Sequence, residues 1–185
     1  LDGWMTTDGI DVRARIVERV QDGVDGARLM SWNNGAVAAE TRQEFDASIL
    51  WAMDSYDDAF GEGAWDPGVQ PQECMFTRDH VQWYSELGVE WITLFYSGTP
   101  FTALRQELEL PPEGLYAPVS LVDGEHGLTL VPAYHHADVG DHGGLRGWVQ
   151  QIHDSHPGDS LLLIHFDADS ETWVPFAAEL DALEG

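Results

Sequence analysis

The chain has 185 residues, with 33 Asp and Glu against eight Arg and no Lys, giving a formal net charge of −25. That balance leaves no basic patch to neutralise phosphates, which excludes a nucleic-acid partner and an anionic membrane surface. An apolar fraction of 43% with eight Trp fits a folded globule rather than a disordered tail.

Most single carboxylates in such a chain are expected on a solvated surface. The absence of Lys points further, to a high-salt cytoplasm where screening shortens the Debye length and tames self-repulsion. The lone Cys74 allows neither an intrachain disulfide nor a cysteine-rich metal site. No signal peptide and no bilayer-length apolar run is legible. The prediction is one α/β domain over 1–185, whole or as a segment of a longer barrel; the start at Leu1-Asp2-Gly3, without Met, fits a processed or excised form.

In chain order, Ile10, Val12, Ile16, Val17 and Val20 recur at helical spacing and predict a helix over 10–21. "ARLMSW" (27–32) reads as a short buried strand closed by the turn signal Asn33-Asn34-Gly35. Thr41 and Glu44 form a capping box, and Phe45, Ile49, Met53, Tyr56 and Phe60 make the apolar stripe of a long helix stopped by Gly61 and Gly63. Thr77 is placed to cap a helix carrying Val81, Tyr84 and Leu87, with Gly88 at its end.

"VEWITLFY" (89–96) is the clearest strand, β-branched, aromatic and nearly uncharged. Thr99-Pro100 opens a further helix as N-cap and N1. "YAPVSLV" and "LTLVPAY" flank Asp123-Gly124 as a hairpin. Leu145, Trp148, Val149 and Ile152 mark one helix face, "SLLLIHF" (160–166) a fully buried strand, and 171–184 a last acidic helix. Apolar strands alternating with helices predict a mostly parallel α/β sheet, a distorted or incomplete (β/α) barrel.

In such folds chemistry gathers where strands end. Two acidic stretches stand at such places. Glu73 lies in "VQPQECMF" (69–76), among prolines and apolar residues, where it either faces a site or pairs with an arginine such as Arg78. Asp167 and Asp169 follow "LLLIHF", with helix capping as the plainer role for Asp169.

If Glu73 and Asp167 converge they form the carboxylate pair that glycoside cleavage uses, one protonating the leaving oxygen and one attacking the anomeric centre. Trp32, Trp65, Trp83, Trp91, Trp148 and Trp173 are candidate sugar platforms, each also a candidate core residue. His135, His136, His142, His153, His156 and His165 keep a metal site as the competing idea, with His165-x-Asp167 the best-spaced pair.

The run "AFGEGAWDPG", then "VQPQECMF", a helix and "LGVEWITL" resembles the middle of family 57 glycoside hydrolases. That resemblance implies a distorted barrel and a retaining mechanism on α-linked glycan without a cofactor. It implies Glu73 as nucleophile, Asp167 as acid/base and Asp169 in reserve. Independently of the resemblance, Trp32, Trp65, Trp173 and His165 are the residues expected at the substrate. "GDSLLLIHFD" (158–167) is also similar to a strand of the polysaccharide deacetylases, which implies His165 and Asp167 near a metal. Val69-Gln70 stands where family 57 has tryptophan, and "TTDG" (6–9) is an echo of the deacetylase "TFDDG". A non-catalytic binding or structural subunit built on the same barrel is the third reading. The expected partner is an oligo- or polysaccharide.

Overall fold

In a computed structural model, the structure describes residues 6–7, 9–32, 35–96, 110–165 and 170–184. The helix expected at Thr99-Pro100 and the turn residues Asn33-Asn34 lie outside the described residues.

Two two-residue strands, β1 (Thr6–Thr7) and β2 (Ile10–Asp11), pair antiparallel ahead of helix α1 (Val12–Gln21). The helix starts at 12 rather than 10 because Asp11, in extended backbone, accepts the amide of Ala14 at 2.9 Å and caps it. Then follow β3 (Ala27–Leu29), α2 (Arg42–Phe60), β4 (Trp65–Val69), α3 (Asp79–Glu86) and β5 (Trp91–Phe95).

After them come β6 (Val119–Asp123), β7 (His126–His135), α4 (Asp138–Asp141), α5 (Leu145–Ser155), β8 (Leu163–His165) and α6 (Ser170–Glu184). Among the described residues no helix is long and apolar enough to cross a membrane.

The six-stranded sheet runs β3-β4-β5-β7, all parallel, and β7 then serves two neighbours on its far side. Its first half pairs antiparallel with β6, its last three residues parallel with β8. The sheet is mostly parallel and not closed.

Along each strand alternate side chains take opposite faces. Leu29, Val69, Ile92, Leu94 and Leu130 form one face and pack on Phe45, Ile49, Val81 and Tyr84 of α2 and α3. Tyr134, on the same face of β7, continues into a second cluster with Val139, Leu145, Trp148 and Ile152.

Local chemistry explains most element ends. The Thr41–Glu44 box is complete, Thr41 N–H donating to Glu44 Oε2 at 2.8 Å. Gly61 ends α2 at φ +110°, a conformation that strains any residue with a Cβ. At α3 the expected cap is inverted: the His80 ring accepts the Thr77 amide at 2.9 Å, while the His80 amide donates to the Thr77 carbonyl.

Two further expectations need correction. The strand of 160–166 shrinks to Leu163–His165 and is half-buried throughout, because it occupies the outer side of β7 with no strand described beyond it. Val149 does not share the buried face of α5 but is exposed, whereas Leu145, Trp148 and Ile152 are buried.

Candidate active site

Because β4, β5, β7 and β8 run parallel, their carboxyl ends share one edge of the sheet. Gln70, Tyr96 and His136 follow directly there, and β8 ends there at His165. Gln70 Nε2 lies 2.5 Å from Nδ1 of His165, a contact between residues 95 apart in sequence. With the Gln70 amide nitrogen donating, Nδ1 accepts and the proton of the neutral ring sits on Nε2.

His165 also packs against Phe95, ring centroids 4.9 Å apart, and Phe95 meets His135 edge-on at 5.8 Å. Register completes the cluster, since His135 and His165 are paired residues of β7 and β8.

The histidines are held from the backbone. The His135 amide donates to Asp138 Oδ2 at 3.1 Å, and its Nδ1 accepts the Ala137 amide at 3.2 Å, which leaves the proton of a neutral His135 on Nε2. The His136 amide donates to the His165 carbonyl at 3.0 Å, and its ring lies 4.1 Å from that of His135. Nδ1 of His136 is buried without a hydrogen-bond partner among the described residues. Among the described residues no group of three or more His, Cys, Asp or Glu has the geometry to hold a metal ion.

The backbone of Glu73 falls in a single 3-10 turn, Gln72–Cys74, that leaves the end of β4 through buried Pro71. The turn closes with Cys74 N–H to Pro71 O at 3.0 Å and Met75 N–H to Gln72 O at 3.1 Å. Cys74 sits at φ +52°, the one non-glycine residue with positive φ among the described residues. Such strain gathers where the surrounding fold over-determines a loop, commonly at functional sites. The side chain of Glu73 and the residues Asp167 and Asp169 lie outside the described residues.

The six tryptophans separate. Trp148 is fully buried, its Nε1 donating to Tyr116 Oη at 3.0 Å and His142 stacked on it at 4.2 Å, so it is core and not a platform. Trp83 packs against Phe45 with Arg42 over its ring, again a structural role. Trp91 lies across Gly68 and donates to Asp66 Oδ1 at 3.0 Å. Trp65 is half-buried against the main core. Trp32, 43% exposed just beyond the end of β3, is free to stack on a ligand. The side chain of Trp173 lies outside the described residues.

Two residues that were not expected at the site stand out. Gln70 is marked in the sequence only as standing, with Val69, where family 57 has tryptophan. Arg28, on the face of β3 opposite Leu29, points its Nη1 at Thr93 Oγ1, 3.4 Å away, and stands over the Trp91 ring at 5.9 Å. Burial lowers its pKa while Asp66 and Tyr56 oppose that shift. Nothing in the spacing of "GARLM" announces a half-buried cation.

No family model matches the sequence, and no curated protein does. In structure the chain is similar to the 4-α-glucanotransferase of Thermococcus litoralis, with a TM-score of 0.70 at 16% identity. That likeness covers 96% of this chain and 28% of the other, so the chain spans under a third of that enzyme. It supports a fold distantly like that of family 57, in agreement with the open, mostly parallel sheet.

Proposed function

We propose that the chain is a carbohydrate-active enzyme that cleaves or transfers an α-linked glycan, with Glu73 as nucleophile and Asp167 as acid/base. The observation that carries the reading is the contact between Gln70 and His165. Gln70 precedes Glu73 by three residues in sequence and His165 precedes Asp167 by two, so the contact joins the strand ends from which both candidate carboxylates follow. The strained Cys74 next to Glu73 and the fold likeness to a glucanotransferase run the same way.

In this reading Asp167 protonates the leaving oxygen while Glu73 attacks the anomeric carbon, and water or an acceptor hydroxyl then releases the glycosyl group with Asp167 acting as base. Asp169 is the reserve for that second role. Trp32 would stack on a sugar ring at the rim, Trp65 and Trp173 being the other two expected there. The chemistry needs no cofactor, and the acidic surface keeps the protein soluble in a high-salt cytoplasm.

The test is cleavage or transfer on a maltooligosaccharide by wild type, Glu73→Gln and Asp167→Asn. Each substitution is expected to cost about 10²–10⁴-fold in rate. Full activity in both variants removes the assignment. Zn²⁺-dependent release of acetate from an acetylated glycan, in place of cleavage, would move the chain to the deacetylase reading.

A further inference from the structure

Four of the eight arginines pair with a carboxylate among the described residues. Arg15, Arg19, Arg42 and Arg78 each hold a carboxylate oxygen at 2.5–2.8 Å. Arg28 does not. It has no carboxylate within ion-pair distance among the described residues, and its one side-chain hydrogen bond, to Thr93, is long at 3.4 Å. A guanidinium carries five N–H donors, and no Arg28 nitrogen is both buried and unpaired, so the donors that Thr93 does not use are open to water or a ligand. Asp66, the nearest acid in effect, is engaged by the Trp91 indole instead.

Arg28 also lines a cavity of about 360 Å³ along β3, whose other walls include Ile16, Asp25, Met30, Tyr56, Phe60 and Gln70. Tyr56 is fixed there by donating to the Arg28 carbonyl at 2.7 Å. Asp25 is already held by both arms of Arg19, at 2.5 and 2.7 Å, which leaves Arg28 as the cation of the lining without an ion-pair partner among the described residues. That cation, one amide and largely apolar or aromatic walls suit a ring that carries a single negative charge and a hydrophobic face. Gln70 lines this cavity and also touches His165, so the cavity adjoins the catalytic edge.

We propose that this cavity binds a hexuronate unit of the glycan, its carboxylate paired with the Arg28 guanidinium. The inference rests on the carbohydrate reading above and names the substrate class of that site. A planar carboxylate matches the guanidinium fork. A phosphate, with nearly two charges, would call for a second cation that the cavity lining does not contain. The net charge of −25 repels anions at long range, but salt screens that field within about 8 Å at 0.15 M, whereas the contact pair is made inside the cavity.

Isothermal titration of the full chain with methyl α-D-glucuronoside, methyl α-D-glucoside and glucose 6-phosphate tests this. Wild type is expected to bind the glucuronoside about 10- to 100-fold more tightly than the glucoside, a preference that Arg28→Gln abolishes and Arg28→Lys keeps in part. The wild-type comparison decides the matter even if a variant fails to fold. Equal binding of glucuronoside and glucoside, or tighter binding of the phosphate, overturns the proposal while leaving cleavage of neutral glycan, and the catalytic reading, intact. Glucuronoside preference in a chain that cleaves no glycan keeps the proposal and removes the catalysis. Binding of no sugar overturns both.

Discussion

Trp91 occupies the space that any side chain at position 68 would need: a Cβ added to Gly68 would lie 2.1 Å from the indole carbons. The close approach of β4 and β5 therefore depends on a missing methyl group, with the indole pinned by its bond to Asp66. Gly68→Ala is expected to destabilise the fold by about 1–3 kcal/mol through overpacking. Trp91→Ala should recover part of that loss in the double variant. Urea denaturation of the four-member cycle measures the coupling, and additive effects would contradict the contact.

The left-handed Cys74 makes a second prediction about the loop that carries Glu73. Relief of the positive φ favours glycine, while a β-branched residue tolerates it least. Stability should rank Cys74→Gly at or above wild type and Cys74→Val lower by roughly 1 kcal/mol or more. Thermal melts of the two variants check the order.

His80 gives the fold a pH dependence. It is 1% exposed, accepts the Thr77 amide, and interacts with the Val37 backbone. Burial lowers its pKa from the ordinary 6.5, against smaller opposing effects of Val37 and Asp79. A depressed folded-state pKa means that its stabilisation is fully present above about 6.5 and is lost as pH falls from there toward the folded value. Wild type should lose stability between pH 7.5 and 5, and His80→Asn, which keeps an acceptor for Thr77, should lose less over the same window. Denaturant midpoints at the two pH values read this directly, and parallel losses would refute it.

Salt is the fourth test. With 33 acids and eight arginines, self-repulsion opposes the compact state at low ionic strength. The melting temperature is expected to climb steadily from 0.1 to 3 M KCl. A flat profile would contradict adaptation to high salt.

Gln70→Ala tests the edge of the sheet. Removing the amide that contacts His165 should lower the rate on glycan while leaving the unfolding free energy within about 1 kcal/mol of wild type, since the pair is only half-buried. Unchanged kinetics would show that the contact does not position the site.

Where the physics is local, the chain announced itself. The capping box of Thr41 and Glu44, the glycine stop at Gly61, the hairpin at Asp123-Gly124 and the β-branched run of β5 each depend on residues within a few positions of one another. Periodicity likewise found α2 and α5. The apolar stripe of α1 was legible too, yet Ile16 remains 41% exposed, because periodicity says which side is apolar and not what covers it.

Other features were settled only by folding. Whether a tryptophan is core or platform depends on what packs over it, which separates Trp148 from Trp32. Whether "LLLIH" is fully buried depends on its place in the sheet, and β8 took the outer side of β7. The contact of Gln70 with His165, and the lack of an ion-pair partner for Arg28 among the described residues, join or separate residues on different strands, so neither leaves a trace in local spacing. Composition and short-range pattern determined the elements and the acidic surface; long-range strand pairing decided which polar groups meet at the sheet's edge, because only the closed backbone fixes those distances.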